Sequence, residues 1–271
     1  AQMIAMRYSF CLLLGLTAMV ACERNAITGR SQLSFVPESE IQTQSLTAYQ
    51  QFLSNNKVVT AGKQAEMVKR VGNRIIKAIT DYYTSQGLVN ELKGYAWEVN
   101  LVDSKEMNAW CMPGGKIVVY TGLLPVTQTE DALAVVMGHE IAHALAHHGQ
   151  ERVSQGMLQQ GLGMGLGVAV ANKPAETQQI ILQSYGVVSQ VGGILPFSRK
   201  HELEADKFGL RYAALAGYNP RAAIDLWKRM GAASGGQKPP EILSTHPVEE
   251  KRIAELQKIM PETLEKYYKP L

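Results

Sequence analysis

His139-Glu140-Ile141-Ala142-His143 sits inside an apolar stretch whose beginning is marked by Thr127 and Glu130 in capping-box spacing, with Asp131 in the first turn. The stretch reads as one helix continuing to about His148, before Gly149. Residues i and i+4 share a helix face, so two imidazoles one turn apart can converge on a single zinc ion. Glu140, beside the first of them, then reaches the water bound to that ion. A catalytic zinc site needs a third protein ligand and one open position. His147 is eight residues from His139, about 12 Å along the axis, too far for one ion to bridge. His147 and His148 read instead as capping or supporting groups at the helix end, where imidazolium is favoured. A metzincin extension would place Gly at 146 and His at 149; the chain has Ala146 and Gly149, which excludes that subclass.

The third ligand is sought downstream. Ser198-Arg199-Lys200-His201-Glu202-Leu203-Glu204-Ala205-Asp206 opens a second helix running to Ala216, with Gly217 and Pro220 as its stop. Glu202 and Asp206 lie on one face, while Glu204 falls about 200° from Glu202, towards another surface. Glu202 is therefore the expected third ligand. Asp206 is expected to take an N–H from a ligand imidazole and fix its tautomer.

Around these two helices the chain reads as mainly α with a small β-sheet. Glu40 to Gln86 is helical in pattern, with Val68, Val71, Ile75, Ile76 and Ile79 as core positions. Trp97, Val99 and Leu101 alternate with polar residues, and Lys116 to Thr121 is a β-branched run after Pro113-Gly114-Gly115, so a strand pair is expected. Gly161, Gly163, Gly165 and Gly167 miss the dinucleotide fingerprint and read as close helix packing or a loop. Their glycines also argue against a membrane-active segment over residues 157–171. Further helices are expected over about Arg221 to Met230 and after Pro247. No 34-residue period is visible and 25 residues follow His246, so no helical-repeat domain is expected.

The 271 residues, 46% hydrophobic and 19% charged, can bury a sizeable core and are not those of a disordered chain. A net charge of +3 without a basic cluster excludes nucleic acid as an expected partner. Arg7 and the 12-residue apolar run Phe10 to Ala21 have the form of a signal peptide, too short for the roughly 20 residues that span a bilayer. Of Cys11, Cys22 and Cys111 the first leaves with the signal, so no intrachain disulfide is expected. Cys111, in the strand region, is expected to be a small buried hydrophobe.

Met19-Val20-Ala21-Cys22 resembles a bacterial lipobox, which makes Cys22 the expected lipidation site. The resemblance implies a lipoprotein signal peptide over 1–21; residues 22–39, polar and turn-rich with Thr28-Gly29 and Pro37, read as a tether, and the zinc-site domain is expected over 40–271. Glu23 after the cysteine, by the same resemblance, favours outer-membrane lipid as the anchor. The chain further resembles the gluzincins related to the heat-shock protease HtpX and the CAAX prenyl protease, most closely the LoiP- and BepA-like branch of bacterial periplasmic lipoproteins. Its marks are Thr28-Gly29-Arg30, Asn108-Ala109 with Pro113-Gly114-Gly115, His139 to His143, Ser198-Arg199 with Glu202 to Asp206, and Thr245-His246-Pro247 with Arg252. Unlike HtpX and the prenyl protease, the chain is expected to have no spanning helices.

This resemblance implies a single zincin-like domain holding one Zn²⁺ through His139, His143 and Glu202, with Glu140 as general base. It implies an edge strand after Gly115 that binds extended substrate, with Asn108, Ala109, Pro113, Gly114 and Gly115 as substrate-binding positions. Unfolded or misassembled periplasmic polypeptides are the implied substrates. His246 is implied to face the metal, as an oxyanion donor or as a fourth ligand at rest, and Arg252 to brace it or assist the oxyanion. The alternative is a non-hydrolytic periplasmic chaperone or assembly factor on the same fold, against which the intact His139, Glu140, His143 and Glu202 stand.

Overall fold

Residues 22–39 do not form the tether that their polar, turn-rich sequence suggested. In the computed structural model, which describes residues 22–159, 198–233, 240–247 and 250–271, β1 (Cys22–Arg24) and β2 (Ser31–Leu33) pair as an antiparallel hairpin. Asn25 organises the turn: its Oδ1 accepts from the Ile27 and Thr28 N–H groups. Its Nδ2 donates to the Leu145 carbonyl at 2.8 Å in a buried contact. A hairpin of this size is not stable alone; what holds it are partners more than a hundred residues away, which local sequence cannot reveal. The expected leader to residue 21 and the glycine-bearing stretch 160–197 lie outside the described residues.

The helical pattern from residue 40 to 86 is divided. α1 (Glu38–Asn55) ends where the Asn56 side chain donates to the Phe52 carbonyl. α2 (Lys63–Ser85) starts after Gly62, at φ +95°. Between them Val58–Val59, as β3, pairs with β4 (Glu98–Val102). Val68, Val71, Ile75 and Ile79 form the buried face of α2, and Ile76 is half-buried.

β5 (Ala109–Met112) and β6 (Lys116–Tyr120) complete a sheet of order β3-β4-β6-β5. β6 is parallel to β4 and antiparallel to β5. The strand after Gly115 is therefore internal, not the expected edge. Gly114 and Gly115, at φ +83° and +82°, turn the chain so tightly that β5 folds back along β6 and takes the edge itself.

Thr127 ends a short helix, α3 (Leu124–Thr127), so the expected cap shifts by two residues. Thr129 caps α4 (Glu130–Leu145), its Oγ1 accepting from the Ala132 N–H at 3.2 Å. α4 stops at Leu145 rather than His148; His147, at φ +55°, turns the chain into α5 (His148–Gln159). From Ala132 to Leu145 every residue of α4 is buried, because the helix packs between β5, α2 and α6 (Arg199–Leu215). The α6 cap is as expected: Ser198 Oγ accepts from the His201 N–H.

α4 and α6 touch backbone to backbone. A Cβ on Gly138 would lie 2.6 Å from the Gly209 carbonyl oxygen, and one on Gly209 2.6 Å from His139 Cα. Only two glycines allow this approach, and it brings residue 202 within reach of 139 and 143. α7 (Ala222–Ala233), α8 (Glu241–Thr245) and α9 (Glu250–Lys266) close the fold. The result is the mainly helical architecture with small sheets that the sequence suggested. Among the described residues no helix is long and apolar enough to cross a membrane.

Candidate metal centre

His139 and His143 project from one face of α4 with their Nε2 atoms 3.0 Å apart. Glu202, in the first turn of α6, places Oε2 3.5 Å from His139 Nε2 and Oε1 3.4 Å from His143 Nε2. His246, just past α8, places Nδ1 2.9 Å from Glu202 Oε1 and 3.4 Å from His139 Nε2. All four residues are buried, and one donor atom from each lies within 4.8 Å of the others.

These spacings test the fit of a metal directly. Four ligands at about 2.05 Å in a tetrahedron are separated by about 3.3 Å. The observed separations of 2.9 to 3.5 Å bracket that edge. Three imidazoles and a carboxylate are also the donor set that suits zinc.

Glu140 stands beside the cluster. Its Oε1 is buried, accepts no hydrogen bond and lies 3.7 Å from His246 Nε2. Burial pushes this carboxyl up, opposed by His246 and His139. Burial also acts to raise Glu202, but Arg252, His246 and the bonds from His139 and His143 hold it well below the usual carboxylate range.

Asp206 is where the helical spacing placed it, Oδ1 3.0 Å from His139 Nδ1. Arg252, on α9, is buried and has all three guanidinium nitrogens engaged. Nε and Nη2 grip the two Asp206 oxygens at 2.8 and 2.7 Å. Nη1 meets Glu202 Oε2 at 2.8 Å and donates to the Pro247 carbonyl at 3.0 Å. Its guanidinium lies 4.2 Å from the Trp227 ring centroid. Arg252 thus braces two carboxylates and the segment that carries His246, and the oxyanion role considered for it is set aside.

The expected substrate positions separate. Asn108 and Ala109 stand at the start of the edge strand, Asn108 Oδ1 accepting from the Ala109 N–H. Pro113, Gly114 and Gly115 form the turn at the other end of β5, where a Cβ on Gly115 would strike the Trp97 ring at 2.6 Å. They do not join the histidine cluster. Cys111 is buried on β5; burial and then the Glu140 carboxylate push its thiol up, and it is outside the converging donor set.

Of a second polar layer, sequence reasoning reached only His148, expected as a capping or supporting group. His148 Nδ1 lies 2.9 Å from His143 Nδ1, and its Nε2 lies 2.8 Å from Glu204 Oε2. Arg30, from the hairpin, donates through Nε to the same Glu204 oxygen at 3.1 Å and pairs through Nη2 with Glu151 at 2.7 Å. His201 Nε2 lies 2.9 Å from that Glu151 oxygen, and its ring stacks on His148 at 4.4 Å. Glu204 does face away from Glu202, as helical spacing dictates; the surface it faces is the back of His143. The available signals were Arg30 within Thr28-Gly29-Arg30 and His148, and neither had a visible partner nearby in the sequence.

The profile of peptidase family M48 matches residues 63–260. The chain is 34% identical over 206 residues to the mitochondrial metalloendopeptidase OMA1 of Schizosaccharomyces pombe, covering 73% of this chain and 58% of that protein. It is 31% identical over 266 residues to the mitochondrial metalloendopeptidase OMA1 of Homo sapiens, covering 94% and 49%. It is 30% identical over 190 residues to the beta-barrel assembly-enhancing protease of Escherichia coli K12, covering 65% and 38%. The chain spans about half the length of the curated relatives it matches.

Proposed function

The chain belongs to peptidase family M48, and on that premise we propose that it is a zinc-dependent endopeptidase that cleaves unfolded or misassembled envelope proteins in the bacterial periplasm. The observation that carries this reading is the convergence of His139, His143, Glu202 and His246 beside the Glu140 carboxylate, whose buried Oε1 accepts no hydrogen bond. Zinc bound there supplies the Lewis acidity that polarises a carbonyl and brings the pKa of water to about 7. His139, His143 and Glu202 hold it. Glu140 takes the proton of the attacking water and delivers it to the leaving amine.

β5 is the edge strand of its sheet and packs on α4; its residues are buried, so an extended substrate would pair with it, starting at Asn108 and Ala109, only where that edge is uncovered. Backbone pairing reads side chains weakly, so the favoured substrate is one that presents a free extended segment, which a folded protein seldom does. The relatives fit two compartments: OMA1 is mitochondrial, whereas the E. coli protein is named for β-barrel assembly. The leader-like residues 1–21 and Cys22, exposed at the head of β1, favour the periplasm, with lipidated Cys22 holding the domain at the outer membrane.

The test is cleavage of a permanently unfolded model protein by the zinc-loaded full chain, beside the same protein in its folded state. Cleavage of the unfolded form alone, stopped by a chelator and restored by zinc, is the expected result. One bound zinc per chain with no cleavage, by the wild type or by His246→Ala, would overturn the peptidase reading in favour of a binding protein.

His246 occupies a donor position, and a fourth protein ligand fills the place that the attacking water requires. On this reading His246 would hold the site closed at rest. His246→Ala should raise turnover several-fold while zinc remains bound through the other three residues. Lost turnover with zinc retained would instead make His246 the oxyanion donor.

A further inference from the structure

The two α4 imidazoles are supported from behind in different ways. His139 Nδ1 meets a carboxylate, Asp206, directly at 3.0 Å. His143 Nδ1 meets another imidazole, His148 Nδ1, at 2.9 Å, and that ring reaches the Glu204 carboxylate through Nε2 at 2.8 Å. Arg30 closes the line on Glu204 and Glu151. Every group along it is buried or nearly so, with His148 itself wholly buried and the Arg30 side chain 11% exposed.

Proton counting fixes the direction of the line. His143 can offer a lone pair at Nε2, the nitrogen that faces His139 and Glu202, only if its neutral ring carries the proton on Nδ1. That N–H then donates to His148 Nδ1, which must be bare. His148 in turn carries its proton on Nε2 and donates to Glu204. Two N–H groups, from His148 and Arg30, thus converge on one carboxylate oxygen, and no pair of donors or acceptors is left facing its like.

We propose that His148, Glu204 and Arg30 are positioning residues that set the tautomer and orientation of His143, so that the N-terminal hairpin is a working part of the metal centre. The inference rests on the reading of His139, His143 and Glu202 as ligands. Two features of the backbone are accounted for by it. His147 takes φ +55°, an uncommon conformation for a residue with a side chain; it reverses the chain so that residue 148, at the head of α5, turns its ring back onto α4. Asn25 pins the hairpin to the Leu145 carbonyl at the end of α4, which seats Arg30 opposite Glu204. Outer partners of metal-bound histidines typically change metal affinity about 10–100-fold when removed.

The test compares His148→Phe, which keeps a ring against His201 but removes the acceptor, with His148→Asn, whose side-chain oxygen can still accept from His143 Nδ1–H. Zinc affinity is read by competition with a chromogenic chelator, and the fold by thermal melting of the zinc-free full chain. We expect His148→Phe to weaken zinc about 10–100-fold, His148→Asn to stay within a few-fold of wild type, and Arg30→Ala to lose about tenfold. His148→Phe matching the wild type, or His148→Asn losing as much as His148→Phe, overturns the proposal.

Should His148→Phe fail to melt cooperatively, the histidine ¹⁵N shifts of the zinc-loaded wild type decide. The expected pattern is metal on Nε2 and a proton on Nδ1 for His143, with a proton on Nε2 for His148. The opposite tautomer at either ring overturns it. A wild type that binds no zinc at all would instead overturn the ligand reading on which the proposal stands, and the two failures are thereby distinguished.

Discussion

Glu140→Gln is expected to lower turnover on an unfolded substrate about 10³-fold while leaving zinc affinity and substrate KM near their wild-type values. Glutamine preserves the shape of the side chain but cannot take a proton, so only the proton-transfer step is removed. Glu140 is outside the four converging donors, which is why metal content should hold. Its carboxylate is also a buried group with an oxygen that accepts no hydrogen bond, and burial already disfavours its charge. Replacing it by a neutral amide should therefore leave the melting temperature of the zinc-free protein unchanged or slightly raised. Retention of more than a tenth of wild-type turnover, with zinc bound, would sink the assignment of Glu140 as the base.

The parts of this site that were legible beforehand are those encoded by helical spacing. His139 and His143, and Glu202 and Asp206, are each one turn apart, and one turn of helix is a fixed geometry whatever surrounds it. Ser198 marked its helix start because an N-cap hydroxyl has a local job to do, accepting from a first-turn N–H, here that of His201. The Gly114 and Gly115 turn shows where such reasoning ends. Its strand, β6, has the same β-branched run whether it is internal or at an edge, and only the return of β5 along it decides which. The order of the sheet is a long-range fact.

The second polar layer was illegible for the same reason. Arg30 and Glu204 are 174 positions apart, and Asn25 and Leu145 are 120 apart. Arg30, Glu204 and Asn25, each read alone, are ordinary turn or surface residues, and Leu145 is an ordinary apolar helix residue. The end of α4 was misplaced because Ala146, His147 and His148 carry no glycine or proline, and the left-handed turn falls on His147 itself. A strained conformation held by tertiary contacts leaves no mark in composition.

Arg252→Met should be the most damaging single change to the stability of the zinc-free protein. Arg252 is buried and is the cation for two buried carboxylates, Glu202 and Asp206. Removing one partner of a buried ion pair leaves charge uncompensated and costs about 3–5 kcal/mol, which for a protein of this size is a fall of about 10 °C in melting temperature. Methionine keeps some contact with Trp227 but supplies none of the donors, so packing cannot mask the electrostatic loss. Zinc should restore part of the deficit, because it gives Glu202 a new counter-charge and binds only the folded state. Adding Asp206→Asn to Arg252→Met should recover stability in the zinc-free form, since one of the two stranded charges is removed; an additive pair would instead lose more than either alone. The recovery is the decisive sign. A single variant melting within 2 °C of wild type, or a double variant less stable than the single, would mean that Glu202 and Asp206 do not depend on Arg252 for their charge.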